Sequence, residues 1–472
     1  MNSAAFTAVM PLVCLAAAVV ALMLLIAVYR RHLPALLMTI AGLASAIVWL
    51  LQSTGQGAVA VTPLLIFDGY ARVYLVLFCG AGIATALLSY GYLCSYDGPR
   101  EEYYLLLLLA VLGSAVLAVS HHFAALFLGL EILSVSLYTL IAYPHRTQVH
   151  VEAGVKYLVL AAVSSAFLLF GLALFYAGSG RMEIAPVSEL LRTTGQPAVR
   201  WLAAGAAMMI VAIGFKLAVV PFHLWTPDVY QGSPAPVAAF VATVSKGAVV
   251  ALLLRLFPPA GLTAWLYTAF ALLSMASMIA GNLLALLQDN VKRILAYSSI
   301  AHLGYLLVAY LAGGPTAVHA VTFYLVTYFV TTLGAFGIVT LLSSAKGEAE
   351  SLADYRGLFR RRPASAIVLA LMLLSLAGLP LTAGFLGKFY LVVAGVSEAR
   401  WMLVITLVAT STIGLYYYLR IVVALFASLP EEPAPLPQAA LSGRLTVAGL
   451  TAFLVWLGIL PGAVIQWIRA LL

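Results

Sequence analysis

The chain has 472 residues, of which 64% are hydrophobic and only 8% charged; soluble domains carry about a quarter charged residues, so there is too little polar surface here to coat a water-soluble globule. The formal charge of +8 does not point to nucleic acid, because the basic residues fall in short breaks between apolar runs and not along one continuous face. Cys14, Cys79 and Cys94 are too scattered to hold zinc or an iron–sulfur cluster, and no Gly-rich phosphate loop follows a strand. No metal and no cofactor bound by this chain is therefore expected.

Apolar runs long enough to cross about 30 Å of hydrocarbon recur from end to end. They predict helices over 7–29, 33–53, 70–95, 103–119, 122–143, 152–178, 201–227, 234–257, 264–287, 291–312, 315–344, 364–396, 400–428 and 445–468. The expected fold is an all-α polytopic membrane protein of about fourteen transmembrane helices. The first run lacks a basic leader and ends at Arg30 and Arg31, so it reads as a span and not as a signal peptide. If loops alternate sides, twelve Lys and Arg fall on one side, among them Arg146, Lys292, Arg293, Lys346 and the cluster from Arg356 to Arg362, and six on the other. Positive charge marks the cytoplasm, which places both termini on the non-cytoplasmic side.

Glu131, Lys216, Lys246 and Lys388 stand well inside apolar runs. An ionisable group at a helix centre costs about 2.5 to 3.5 kcal/mol on insertion scales, so four in one chain require a reason. Lys156 is a fifth candidate, one turn from the predicted start of its helix, where it could snorkel to the interface. A structural ion pair accounts for one Glu and one Lys, but no acid remains for Lys246 and Lys388. A base in low dielectric without a fixed counter-ion can exchange its proton near neutral pH, and a carboxylate moving beside it loads or unloads that proton. The four groups read as a proton relay.

Two lysine-bearing helices are interrupted. In Gly214-Phe-Lys-Leu-Ala-Val-Val-Pro-Phe-His-Leu-Trp225, Pro221 removes a backbone donor one turn beyond Lys216, and Gly378, Pro380 and Gly384 do the same before Lys388. If helices 4–8 and 9–13 are two five-helix units, the odd number of spans inverts the second, and the broken helices, the seventh and twelfth, are the fourth of each. The expected segments are 1–100 for helices 1–3, 101–258 and 259–428 for the repeats, and 429–472 for a loop and the last helix. His223, just past Pro221, and His302 are further proton-relay candidates, with packing as the competing reading. Tyr324, Tyr328 and Tyr416 to Tyr418 read as aromatic packing before a hydroxyl chain.

Long motifs carry a family resemblance. Phe215-Lys-Leu with Val220-Pro-Phe-His-Leu-Trp-Thr-Pro-Asp-Val-Tyr-Gln-Gly-Ser-Pro-Ala-Pro-Val237, the stretch from Gln288 to Tyr305, and Gly384-Phe-Leu-Gly-Lys-Phe-Tyr390 resemble the subunit N family of bacterial NADH–quinone oxidoreductase, respiratory complex I. The resemblance implies an antiporter-like fold with two inverted five-helix repeats and discontinuous helices seven and twelve. It implies that Glu131 and Lys216 are the charged pair of helices five and seven, Lys246 the central lysine, and Lys388 the terminal relay, with Lys156 of lesser standing. The related subunit M has a glutamate at the place of Lys388, which favours N, and the long C-terminal helix of subunit L has no counterpart before Leu472. NADH, FMN, iron–sulfur clusters and quinone are then expected in other subunits, with subunits M, K and J as membrane partners. Protons would enter near Lys216, pass Lys246 and leave beyond Lys388. A cation/proton antiporter of the Mrp type and a structural spacer with a dead path are the rival readings.

Overall fold

The computed structural model describes residues 3–53, 57–144, 148–184, 186–314, 316–345, 347–429 and 436–472; Arg146 and Lys346 of the charge count lie outside them. Each predicted span is present. The first six are α1 (Ser3–Val28), α2 (His32–Gln52), α3 (Gly69–Leu93), α4 (Glu101–Val119), α5 (Phe123–Ile141) and α6 (Gln148–Ser179). The seventh is two pieces, α7a (Ala198–Leu217) and α7b (Trp225–Gly232), followed by α8 (Ala235–Leu256), α9 (Ala264–Leu286), α10 (Val291–Ala312) and α11 (Ala317–Leu342). The twelfth is also split, into α12a (Pro363–Ala377) and α12b (Ala383–Ser397), and α13 (Trp401–Phe426) follows. Among the described residues 13 helices are long and apolar enough to cross a membrane, and the halves of α12 are shorter apolar pieces.

Several elements depart from the sequence reading, among them short helices at Val187–Thr193, Leu352–Tyr355 and Leu358–Arg361 in stretches that read as loops. The last helix is not continuous over 445–468 but breaks into α14a (Leu441–Ile459) and α14b (Gly462–Leu471) at Pro461, which has no N–H to continue the ladder. Between α2 and α3 a short antiparallel hairpin forms from β1 (Val59–Thr62) and β2 (Leu65–Phe67), and His121 N–H donates to Leu64 O at 2.8 Å, tying it to the α4–α5 turn. Asp68 caps α3 by accepting from Ala71 N–H, and Arg255 at the end of α8 bonds both oxygens of that carboxylate, at 3.0 and 3.1 Å.

The helices sort by burial. α8 and α11 are enclosed by protein throughout, and α10 nearly so, whereas α1, α2, α6, α9 and α13 expose most of one side. In lipid an exposed face is an apolar face, and the polar groups belong to the enclosed helices. The repeat is visible in packing: α4 lies along α5 as α9 lies along α10, and α6 along α7a as α11 along both pieces of α12. Small residues set the first crossing in both units. A Cβ on Gly129 of α5 would sit 2.8 Å from Leu117 N of α4, and one on Gly304 of α10 would sit 2.9 Å from Met278 N of α9. Backbones in contact at such a point exclude any larger residue.

This gives a stability contrast. Gly129→Leu should destabilise the purified chain by about 1 to 3 kcal/mol or prevent its folding, while Gly80→Leu, whose Cβ meets nothing within 4 Å, should leave the detergent melting temperature near that of the parent.

Candidate functional site

Both interruptions end a helix in the left-handed region. α7a stops at Ala218 (φ 61°), whose N–H still bonds Gly214 O and Phe215 O, and α12a stops at Gly378 (φ 85°), bonded to Leu374 O and Ser375 O. Pro221 and Pro380 follow, so neither ladder can resume at once. The freed backbone finds side chains: Val220 N–H donates to Ser277 Oγ at 2.9 Å, and Gly384 N–H to Ser375 Oγ at 3.0 Å. Trp225 Nε1 donates to Phe215 O at 3.0 Å, which ties α7b back to α7a. Gly384 belongs to the first turn of α12b and not to the break itself, where Thr382 supplies the cap. His223 lies in the α7 break, buried, with no hydrogen-bond partner for either ring nitrogen among the described residues.

The two break lysines share one electrostatic setting. Lys216 occupies the last turn of α7a, and Lys388, although it stands on α12b, reaches back so that Nζ donates to the carbonyl of Ala377, the last residue of α12a, at 2.9 Å. The unsatisfied carbonyls at a helix C-terminus carry partial negative charge and favour a cation there. Lys388 thus has a helix-terminal carbonyl, and Lys216 a serine hydroxyl, in place of a carboxylate.

Around Lys216 the expected charged pair is not in contact. Lys216 Nζ donates to Ser134 Oγ at 2.7 Å, while Glu131, one turn earlier on α5, accepts from Ser165 Oγ of α6 at 2.5 Å. The two ions are joined by no salt bridge, but Glu131 is close enough for its charge to act on Lys216. Tyr157 completes this group, its ring 5.6 Å from Lys216 Nζ and its hydroxyl turned to Ser245, the neighbour of Lys246. Lys156 is set apart from the relay. Its half-exposed ammonium pairs with Glu152 at 2.7 Å and Asp228 at 3.2 Å, because one residue before Tyr157, whose ring faces Lys216, the helix turns outward.

Lys246 sits at the centre of the enclosed helices. The turn before it, Val241–Ser245, is a π-helix, a local widening that recurs at functional sites. Its Nζ donates to Ser299 Oγ at 2.6 Å and lies 5.5 Å from the ring of Tyr230. Ser299 in turn pairs with Tyr328 at 2.7 Å and with Tyr230 at 3.4 Å. One turn along α10, His302 has Tyr324 at 2.7 Å on Nδ1 and Tyr418 at 3.1 Å on Nε2, and the charges of both Lys246 and Lys388 reach it. Lys388 also donates to Ser411 Oγ at 2.7 Å, with the ring of Tyr305 at 5.1 Å. Among the described residues neither Lys246 nor Lys388 has a carboxylate within ion-pair distance.

The structure therefore brings Lys216, Lys246, His302 and Lys388 into one interior sequence of ammonium, hydroxyl and imidazole groups, and leaves Lys156 at its edge. Tyr324, Tyr328, Tyr417 and Tyr418, read from sequence as packing, place their hydroxyls on His302, Ser299, Asn282 and Ser298; only Tyr416 faces outward. The serines were missed. Ser134 stands one turn from Glu131, and Ser298-Ser299 one turn before His302, so helical spacing from the charged positions is the signal that would have found them.

Comparison with known proteins bears on the family and the fold. Residues 120–414 match the family model described as NADH:quinone oxidoreductase/Mrp antiporter, TM. The chain is 49% identical over 468 residues to NADH-quinone oxidoreductase subunit N of Chromohalobacter salexigens, covering 98% of each, and 46% identical over 476 residues to subunit N of Ectopseudomonas mendocina, covering 98% of this chain and 95% of that one. Among solved structures it superposes on a chain of respiratory complex I from Thermus thermophilus with a TM-score of 0.85 at 36% identity, covering 98% and 99% of the two chains. A chain of the Mrp complex from Dietzia gives 0.86 at 19% identity, covering 100% of this chain and 97% of that one, a likeness of fold alone.

Gly378 offers a local test. A Cβ there would meet Lys388 Cδ at 2.8 Å, and the left-handed φ adds about 1 to 2 kcal/mol for a residue with a side chain. Gly378→Ala should lower the melting temperature and displace Lys388 from Ala377 O in a refined structure. Gly378→Asn, better suited to that φ, should recover stability only in part and leave the displacement.

Proposed function

Because the chain belongs to the subunit N family of NADH–quinone oxidoreductase, we propose that it is the proton-translocating subunit of a complex I membrane arm, with Glu131, Lys216, Lys246 and Lys388 as its relay. The carrying observation is the enclosure of Lys246 on α8 beside α10 and α11, where Ser299 joins it to Tyr328, whose ring lies 5.6 Å from that of His302. A purely structural lysine at that depth would be expected to have an acid to neutralise it; Lys246 has a serine.

In this reading Glu131 governs Lys216 through its charge, across the Ser134 and Ser165 hydroxyls, and a shift of either helix changes how firmly Lys216 keeps its proton. Tyr157 and Ser245 lead to Lys246, and Ser299, Tyr328 and His302 lead on to Lys388. Each hydroxyl or imidazole accepts a proton on one side as it gives one up on the other, so no net charge is stranded between lysines. Moving one charge against 100 mV requires about 2.3 kcal/mol. That energy comes from electrons passing from NADH to quinone by way of FMN and iron–sulfur clusters in other subunits. The bacterial inner membrane holds the chain with both termini outside, flanked by subunits M, K and J, and the repeats comprise 101–258 and 259–428.

Two measurements test this. Lys246→Ala in the assembled enzyme should cut redox-driven proton pumping in membrane vesicles several-fold with assembly preserved; unchanged pumping would mark the path as dead. Purification from native membranes should bring flavin and iron–sulfur subunits with the chain, and recovery with Mrp-type subunits alone would move the assignment to a cation/proton antiporter.

A further inference from the structure

Away from the relay, a second buried acid–base group lies at the seam between the repeats. Lys292, counted in the sequence as a loop charge, begins α10 and is wholly buried. Its Nζ donates to Ser233 O at 2.7 Å and to Glu348 Oε2 at 3.1 Å, with Glu350 at 4.0 Å. Glu348 also accepts from Tyr92 at 2.6 Å and from the N–H of Ala235, the first residue of α8, at 3.2 Å. Glu350 accepts from Asn290 at 2.7 Å and Gln231 at 3.2 Å.

Burial deepens inward through this group: the side chain of Glu350 is 30% exposed, that of Glu348 8%, and that of Lys292 not at all. The innermost member stands on the same helix as Ser299. Lys292 and Ser299 are seven residues apart on α10, two turns on one face and about 10 Å in rise, and Ser299 holds Lys246. Tyr230 spans much of that interval, its carbonyl accepting from Ser233 Oγ at 3.3 Å and its hydroxyl 3.4 Å from Ser299. A buried ion pair stabilises a fold little more than apolar packing of the same shape would, so structural need alone does not explain it.

We propose that Glu348, Lys292 and Glu350 form a proton-loading site that feeds Lys246 through Tyr230 and Ser299, independently of Glu131 and Lys216; this rests on the relay function of Lys246 argued above. A proton from bulk water neutralises Glu350 and passes to Glu348. From there it passes by way of the Tyr230 hydroxyl to Ser299, whose hydroxyl gives its own proton to neutral Lys246 as it takes the incoming one.

The test uses the assembled complex in vesicles and compares Glu348→Gln with Glu348→Asp. Gln keeps the length and an oxygen for Tyr92 and Ala235 N–H but cannot carry a proton; Asp keeps the titrating group on a shorter arm. Loading predicts a several-fold loss of pumping per electron in Glu348→Gln and substantial retention in Glu348→Asp. Wild-type pumping in Glu348→Gln, or failure of that variant to assemble where Glu348→Asp assembles, would make the cluster a clamp and overturn the proposal. Lys246→Ala measured in parallel separates the failures: if it too pumps normally, the relay itself is wrong, and if it alone fails to pump, only the loading site is wrong.

Discussion

An ammonium group removed from water must be solvated by something, and in this chain the three innermost relay lysines are solvated by neutral oxygen. Serine hydroxyls hold Lys216 and Lys246, and a serine with the open end of a helix holds Lys388. A carboxylate in contact would lock each charge in place; a hydroxyl or a carbonyl end solvates the cation without adding an opposite full charge. The break in α12 serves that demand, since an interrupted helix exposes a C-terminal carbonyl, that of Ala377, to Lys388 inside a bilayer. The surrounding helices then have to exclude lipid from the freed backbone, which is why Ser277 and Ser375 are found where they are.

The same demand orders the cross-section. α8, α10 and α11 carry Lys246, Ser299, His302, Tyr324 and Tyr328, and they are enclosed by the remaining spans. Charges that approach the rim are treated differently: Lys156, Asp228 and Arg293 neutralise one another directly, at 3.2 and 2.8 Å. The exposed ion pairs at the edge hold helices in place, and neutral solvation leaves the relay lysines free of a locking counter-ion.

Much of this was legible in the sequence because membrane spans are long, apolar and punctuated. Fourteen spans, the breaks at Pro221 and Pro380 and the four intramembrane charges all follow from composition and proline chemistry. The failures have one physical root. Hydropathy ranks residues by transfer from water and does not say which neighbour a side chain meets. Glu131 and Lys216 looked like partners, yet each found a serine first. Lys292 looked like a loop charge because it stands at a helix start, yet the 347–352 segment folds over it. Tyr328 and Tyr418 looked like packing because a buried tyrosine is mostly ring, and only three-dimensional contact shows where the hydroxyl goes. Pro461 was passed over because the run around it is apolar enough to look continuous.

The π-turn at Val241–Ser245 bears on how such a chain can be compared across its relatives. A π-turn accommodates one residue more than an α-turn, so everything after it is rotated by about 100° relative to an ideal helix drawn from Ala235. A helical wheel laid through α8 in one pass would assign Lys246 and the residues beyond it to the wrong face. The face that meets α10 and α11 is one stripe before the turn and a different stripe after it. Reading frames of co-variation or designed substitutions along α8 must therefore be restarted at Lys246, as though two short helices had been spliced there with their phases reset.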